Sequence, residues 1–190
     1  MPVTELDPVT ALLVVDLQKG VIGLPVQPSP DTVVANAVRL IHAFRAHALP
    51  LVLINAAGGA SGRTEFSAAM AAMPRPEGWD ELVPELGAQA GDILITKRTW
   101  GAFTGTDLDK QLRAHNVTQV VVVGIATSAG VESTARQAHE HGYHVTLATD
   151  AMADRSPEVH GNSIGAIFPR LGETGTTDDV LALLEATHRA

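Results

Sequence analysis

Five apolar, largely β-branched runs recur along the chain, and their spacing limits its fold more than any other feature. They begin at Ala11-Leu-Leu-Val-Val, Leu49-Pro-Leu-Val-Leu-Ile, Asp92-Ile-Leu-Ile-Thr, Gln119-Val-Val-Val-Val and His144-Val-Thr-Leu-Ala. Each run is continuous rather than alternating, the pattern of a strand buried on both faces of a parallel sheet. Helix signals separate them. Ser29-Pro30 precedes the apolar positions Val34, Leu40, Ile41 and Phe44, Thr106 opens Asp107-Leu-Asp-Lys-Gln-Leu, and Ser128 opens a segment to His139. Ser156-Pro157 opens another to about Phe168, and Thr177 opens Asp178 to Leu184. A hydroxyl cap, often followed by proline in the first turn, satisfies amide groups that a helix start leaves free. Strands alternating with helices predict a doubly wound, Rossmann-like α/β fold with right-handed crossovers. A length of 190 residues fits one domain, residues 1–190. Residues 56–90, where Gly58, Gly59, Gly62, Pro74 and Pro76 concentrate, read as a long connection with one or two short helices.

Composition narrows the chemistry. A formal net charge of −8 with no basic run argues against nucleic-acid binding. No segment approaches the ~18 consecutive apolar residues of a membrane helix, and no secretory or lipidation signal is seen, so a soluble cytoplasmic protein is expected. The absence of cysteine excludes thiolate catalysis, cysteine-ligated zinc and iron–sulfur clusters. Neither G-x-G-x-x-G nor G-x-x-x-x-G-K-[ST] occurs, and no cofactor or metal is expected.

In an open parallel sheet, ligands bind beyond the carboxyl ends of the strands, where strand order reverses. The residues there are Asp16 and Gln18, then Asn55, then Lys97 and Arg98, then Gly124 to Gly130, then Asp150. Asp16, ending an apolar run, is either a partly desolvated acid–base group or a carboxylate capping the next turn. Lys97 gains functional interest mainly as a partner for Asp16, with apolar cover from Trp100 and Phe103. Gly124-Ile-Ala-Thr-Ser-Ala-Gly130 leads from a strand into a helix start, which favours an anion or is simply a tight loop with Ser128 as its cap. Arg63 is either a surface residue or a carboxylate clamp. His139, His141 and His144 straddle a helix end and a strand, which suits a solvated group rather than a metal site.

Taken in order, Leu12-Leu-Val-Val-Asp16-Leu-Gln, Thr96-Lys97-Arg-Thr-Trp-Gly-Ala-Phe103 and Gly124-Ile-Ala-Thr-Ser-Ala-Gly-Val-Glu-Ser-Thr-Ala-Arg136 resemble the isochorismatase-like hydrolases. Gly142-Tyr and Thr149-Asp-Ala-Met extend the likeness over most of the chain. The resemblance implies a six-stranded parallel sheet with helices on both faces, and a site of aspartate, lysine and usually cysteine. Asp16 and Lys97 match the first two, and Gly130 stands where the family's amidases carry the cysteine. It further implies a cis peptide at Ile125–Ala126 and an oxyanion hole from Ile125, Ala126 and Gly130. Substrate contacts are expected from Gln18, Arg63, Trp100, Phe103 and Ser128.

Family members with glycine at this position resemble the isochorismatases, which cleave a vinyl ether and require a general acid rather than a nucleophile. The expected activity is therefore thiol-independent hydrolysis of an isochorismate-like vinyl ether. Asp16 is the expected acid, Lys97 binds a substrate carboxylate or orients Asp16, and Gly130 completes the site. The motif Arg98-Thr-Trp-Gly-Ala-Phe departs from the Trp-Arg-Tyr-Ser-Ala-Phe common in isochorismatases, which bears on the substrate more than the fold. The alternatives are an amide hydrolase using Ser128 or Thr127, and a non-catalytic ligand-binding member. The expected partners are a small, anionic substrate and further copies of the chain.

Overall fold

A computed structural model describes residues 3–65 and 75–188. Its centre is a six-stranded parallel sheet in the order β3-β2-β1-β4-β5-β6. The strands are β1 Thr10–Val15, β2 Leu51–Ala56, β3 Ile93–Lys97, β4 Gln119–Ile125, β5 His144–Ala153 and the short β6 Glu173–Gly175. The principal helices are α1 Lys19–Ile22, α2 Pro30–Ala46, α3 Leu108–Ala114, α4 Glu132–Glu140, α5 Pro157–Asn162 and α6 Thr177–Thr187. The chain winds outward from β1 through β2 to β3, then returns to place β4 on the other side of β1. Strand order therefore reverses between β1 and β4.

Every residue of β1 and of β4 is buried, because each has a strand on either side and helices on both faces. The side chains of β1 still divide by pleat. Leu12 and Val14 join the core under α2 and α6 with Phe44, Val180 and Leu184. Ala11, Leu13 and Val15 join the opposite core, which holds Leu108, Ala135 and Phe168. The third apolar run differs from its expected burial: β3 is the sheet edge, and Leu94 is 62% exposed. No described helix is long and apolar enough to cross a membrane.

The Ser29 and Ser156 caps form as expected, each followed by proline. The last cap lies one residue earlier than the sequence suggests: Thr176, not Thr177, caps α6 and forms a reciprocal capping box with Asp179. Ser128 does not cap its helix. Residues 127–131 form a π turn that begins after Ala126 and leads directly into α4. Within the 56–90 connection, the described part includes a 3₁₀ turn at Pro84–Leu86; residues 66–74 lie outside the described residues.

Candidate active site

The reversal point brings the ends of β1, β3 and β4 together. Val15 pairs with Ile54 on one side and with Gly124 on the other. Gly124 has φ +128°, and a Cβ there would run into the Val15 carbonyl, so only glycine lets β4 approach so closely. The next residue of β1's chain, Asp16, takes a left-handed backbone conformation with φ 55°, which aspartate tolerates better than most residues. Its N–H still donates to Ile54 O at 2.9 Å. β1 thus ends in a sharp turn at the carboxyl edge of the sheet.

Lys97, the last residue of β3, donates from Nζ to Asp16 Oδ2 at 2.8 Å and to Thr99 O at 3.1 Å. Both partners are buried, Asp16 at 7% exposure and Lys97 at 2%. The other carboxyl oxygen, Asp16 Oδ1, is buried with no hydrogen-bond partner among the described residues. Burial pushes the Asp16 carboxyl up to about 6, while the charge and hydrogen bond of Lys97 pull it down. Desolvation therefore outweighs the neighbouring cation.

Gly130 faces this pair. A Cβ on Gly130 would lie 2.8 Å from Asp16 Oδ2, 3.1 Å from Val15 Cγ1 and 3.7 Å from Lys97 Nζ. The carboxylate occupies the space into which any side chain at 130 would project. The Ile125–Ala126 peptide is cis, at the position where the sequence resemblance places one. The three residues Asp16, Lys97 and Gly130 are thus brought together from positions far apart in sequence.

The expected substrate contacts divide. Gln18 is fully buried, and its amide is engaged by backbone: Oε1 accepts from Ala56 N at 2.7 Å, while Nε2 donates to Ala56 O at 3.1 Å and Trp79 O at 3.3 Å. It ties the end of β1 to the end of β2 and to the long connection. Phe103 is buried beside the carboxyl-terminal end of α4, with its ring 5.0 Å from that of His141. Trp100 is 62% exposed. Arg63 is exposed on the connection after β2. Ser128 donates from both N and Oγ to Asp154 Oδ2, at 2.8 and 2.7 Å.

Asp150 proves to lie within β5 rather than after it, because that strand runs ten residues. Its carboxylate accepts from Thr177 N at 2.6 Å and Thr177 Oγ1 at 2.9 Å, so it serves the start of α6. The acid at the true end of β5 is Asp154. Sequence reading also passes over His160, whose Nδ1 lies 2.8 Å from Thr127 Oγ1. No local spacing signals that contact; only the pairing of β4 with β5 brings the two segments together. A surface depression of about 360 Å³ lies at the amino ends of the strands around Asp7, His144 and Arg170, and neither Asp16 nor Lys97 lines it.

The profile of the isochorismatase domain matches residues 10–179, which spans the sheet from β1 into α6. The chain belongs to the isochorismatase family. It is 45% identical over 177 residues to the isochorismatase family protein YwoC of Bacillus subtilis, covering 90% of this chain and 92% of the relative. It is 32% identical over 178 residues to the ureidoacrylate amidohydrolase RutB of Stutzerimonas stutzeri, covering 78% and 71%. An isochorismatase family structure from Burkholderia thailandensis superimposes with a TM-score of 0.87 at 41% identity, covering 95% of this chain and 98% of that one. This isochorismatase-like hydrolase thus shares the family fold and carries no cysteine.

Proposed function

We propose that the protein hydrolyses a vinyl ether of the enol-pyruvyl type, with Asp16 as general acid. The observation that carries this reading is the division of labour within the Asp16 carboxyl. Oδ2 is held by Lys97, whereas Oδ1 is buried and unpartnered, and the group is pushed up to about 6. A carboxyl in that state is half protonated at about pH 6 and carries its proton into the weakly acidic range, with one oxygen not engaged by another group.

The reaction needs no nucleophile from the protein. The proton on Asp16 Oδ1 adds to the terminal methylene carbon, and the alkene π pair becomes the new C–H bond. The resulting oxocarbenium ion takes up water at its carbon, and the proton lost from that water restores Asp16. The hemiketal then collapses: its hydroxyl loses its proton as the carbonyl forms, the C–O bond to the ring breaks, and the leaving oxygen takes up a proton, which releases the ring alcohol and pyruvate. Lys97 suits a substrate carboxylate, which would also offset the cation's pull on Asp16. Trp100, exposed beside Thr99, offers apolar surface for the rest of the substrate.

The hydroxyl route to amide hydrolysis is less well supported. Neither Thr127 nor Ser128 is hydrogen-bonded to Asp16; their hydroxyls engage His160 and Asp154. A cytoplasmic homo-oligomer belongs to the same reading, and the exposed Leu94 and Trp100 provide apolar surface for self-association. The deciding assay is pyruvate release from isochorismate, its 2-amino analogue and a panel of other enol-pyruvyl ethers. Release above background is expected for at least one, and none from the whole panel would reject the proposal.

A further inference from the structure

The turn that carries Gly130 is held from outside. It is a single π turn whose i→i+5 bond runs from Val131 N to Ala126 O at 3.1 Å, and Ala126 gives it no side-chain cap. Such turns are uncommon and depend on their surroundings. Here two neighbouring residues of the turn are tied to the chain that follows β5. Thr127, fully buried, places Oγ1 2.8 Å from His160 Nδ1. Ser128 donates its N–H and its hydroxyl to Asp154 Oδ2.

Asp154 is itself fixed. Its Oδ1 accepts from Arg155 N at 2.7 Å, and its backbone exchanges two hydrogen bonds with Gln27, at 2.8 and 3.0 Å. Burial lowers the His160 imidazole below its ordinary value, against the opposing charge of Asp154. A neutral ring can accept the Thr127 hydroxyl proton at Nδ1.

The consequence for the acid is geometric. Gly130 sits so close to Asp16 that the space of one Cβ is already filled by the carboxylate. A turn displaced inward would strike Asp16, and one displaced outward would admit water. We propose that His160 and Asp154 are positioning residues for the Asp16 acid: through Thr127 and Ser128 they hold the 126–131 turn against the carboxyl and keep it dry. This rests on the reading of Asp16 given above. Lys97 is the one charged group shown to act on Asp16 among the described residues, so a change in its titration after a substitution in the clamp reports on solvation rather than on lost charge.

The test follows the Asp16 carboxyl carbon by NMR in protein labelled with ¹³C-aspartate, with the resonance assigned by its loss in Asp16→Asn. Wild type should titrate near 6. Thr127→Val, which keeps the shape and removes the hydroxyl, and His160→Gln should move the midpoint down toward the ordinary carboxyl value, and Thr127→Ser should restore it. On an enol-pyruvyl ether, kcat in Thr127→Val should fall about 10- to 100-fold, the scale expected of ångström-level misplacement, with KM changing less than about threefold. An unmoved Asp16 midpoint in folded Thr127→Val and folded Asp154→Asn overturns the proposal, and Thr127→Val decides alone if Asp154→Asn does not fold. A midpoint that moves in a protein that turns over no enol-pyruvyl ether supports the clamp and rejects the vinyl-ether reading instead.

Discussion

Asp16 is subject to two opposing influences, and the outcome sets its chemistry. An ammonium at 2.8 Å favours the carboxylate, while loss of water favours the acid. One pKa unit corresponds to about 1.4 kcal/mol, so moderate differences in solvation decide which form dominates near neutral pH. The apolar run before Asp16 and the one before Lys97 were enough to put both at strand ends and to suggest a pair. The sign of the balance was not legible, because it depends on what covers them. Trp100 and Phe103 were the expected cover; one is 62% exposed and the other stacks on His141, while Gly130 comes so close that a Cβ there would lie 2.8 Å from the carboxyl. Gly130→Ala should therefore act directly on the acid. Its methyl group would compete with Asp16 Oδ2 for the same space, turning the carboxyl off Lys97 or pushing the turn away, and kcat should fall about 10- to 100-fold. Steady-state kinetics on the variant give the answer, and wild-type kcat would mean that the contact has no part in the reaction.

At the scale of elements, the strands were legible because burial on both faces leaves a continuous apolar run, whereas their ends were not. β5 continues to Ala153, past the apolar core of its run, and β4 shifts register against it between Val122 and Gly124. That extension is why Asp150 serves α6 and Asp154 takes the strand end. The edge position of β3 was likewise hidden, since Ile93, Leu94 and Ile95 resemble a central strand until the neighbour on one side is missing. Caps were read correctly where a serine precedes proline, missed by one residue at Thr176, and misread at Ser128, whose hydroxyl serves a carboxylate 26 residues away. The Thr176 box offers a test on α6. Thr176→Ala should cost about 0.5–2 kcal/mol in urea unfolding at neutral pH. The Asp179 carboxyl is held below its ordinary value by its hydrogen bonds from Thr176 N and Oγ1. A depressed carboxyl stabilises the fold above its unfolded value and loses that contribution as pH falls through the folded one. The difference between variant and wild type should therefore narrow in acid, and a difference independent of pH would contradict the box.

For the whole molecule, the decisive feature is the reversal of strand order between β1 and β4, which gathers Asp16, Lys97 and Gly130 at one edge. Alternating strands and helices were sufficient to predict such an edge. The partnership of Thr127 with His160 needed the assembled sheet, because residues 33 apart meet only when β5 lies beside β4. With a net charge of −8 the protein repels anions at long range, so the proposed capture of an anionic substrate would depend on local attraction at Lys97. The same edge determines the pH dependence. If Asp16 donates its proton in the slow step, kcat/KM for an enol-pyruvyl ether should be level in acid and decline about tenfold per unit as pH rises above about 6, where the free enzyme's acid ionises. The most direct measurement is that pH profile, with turnover compared in H₂O and D₂O, for wild type and Asp16→Asn. A slower wild-type rate in D₂O is expected, with a loss of about 10²- to 10⁴-fold in Asp16→Asn and KM little changed. Near-wild-type turnover in Asp16→Asn, with the alkaline limb still in place, would contradict the role of Asp16 as the acid.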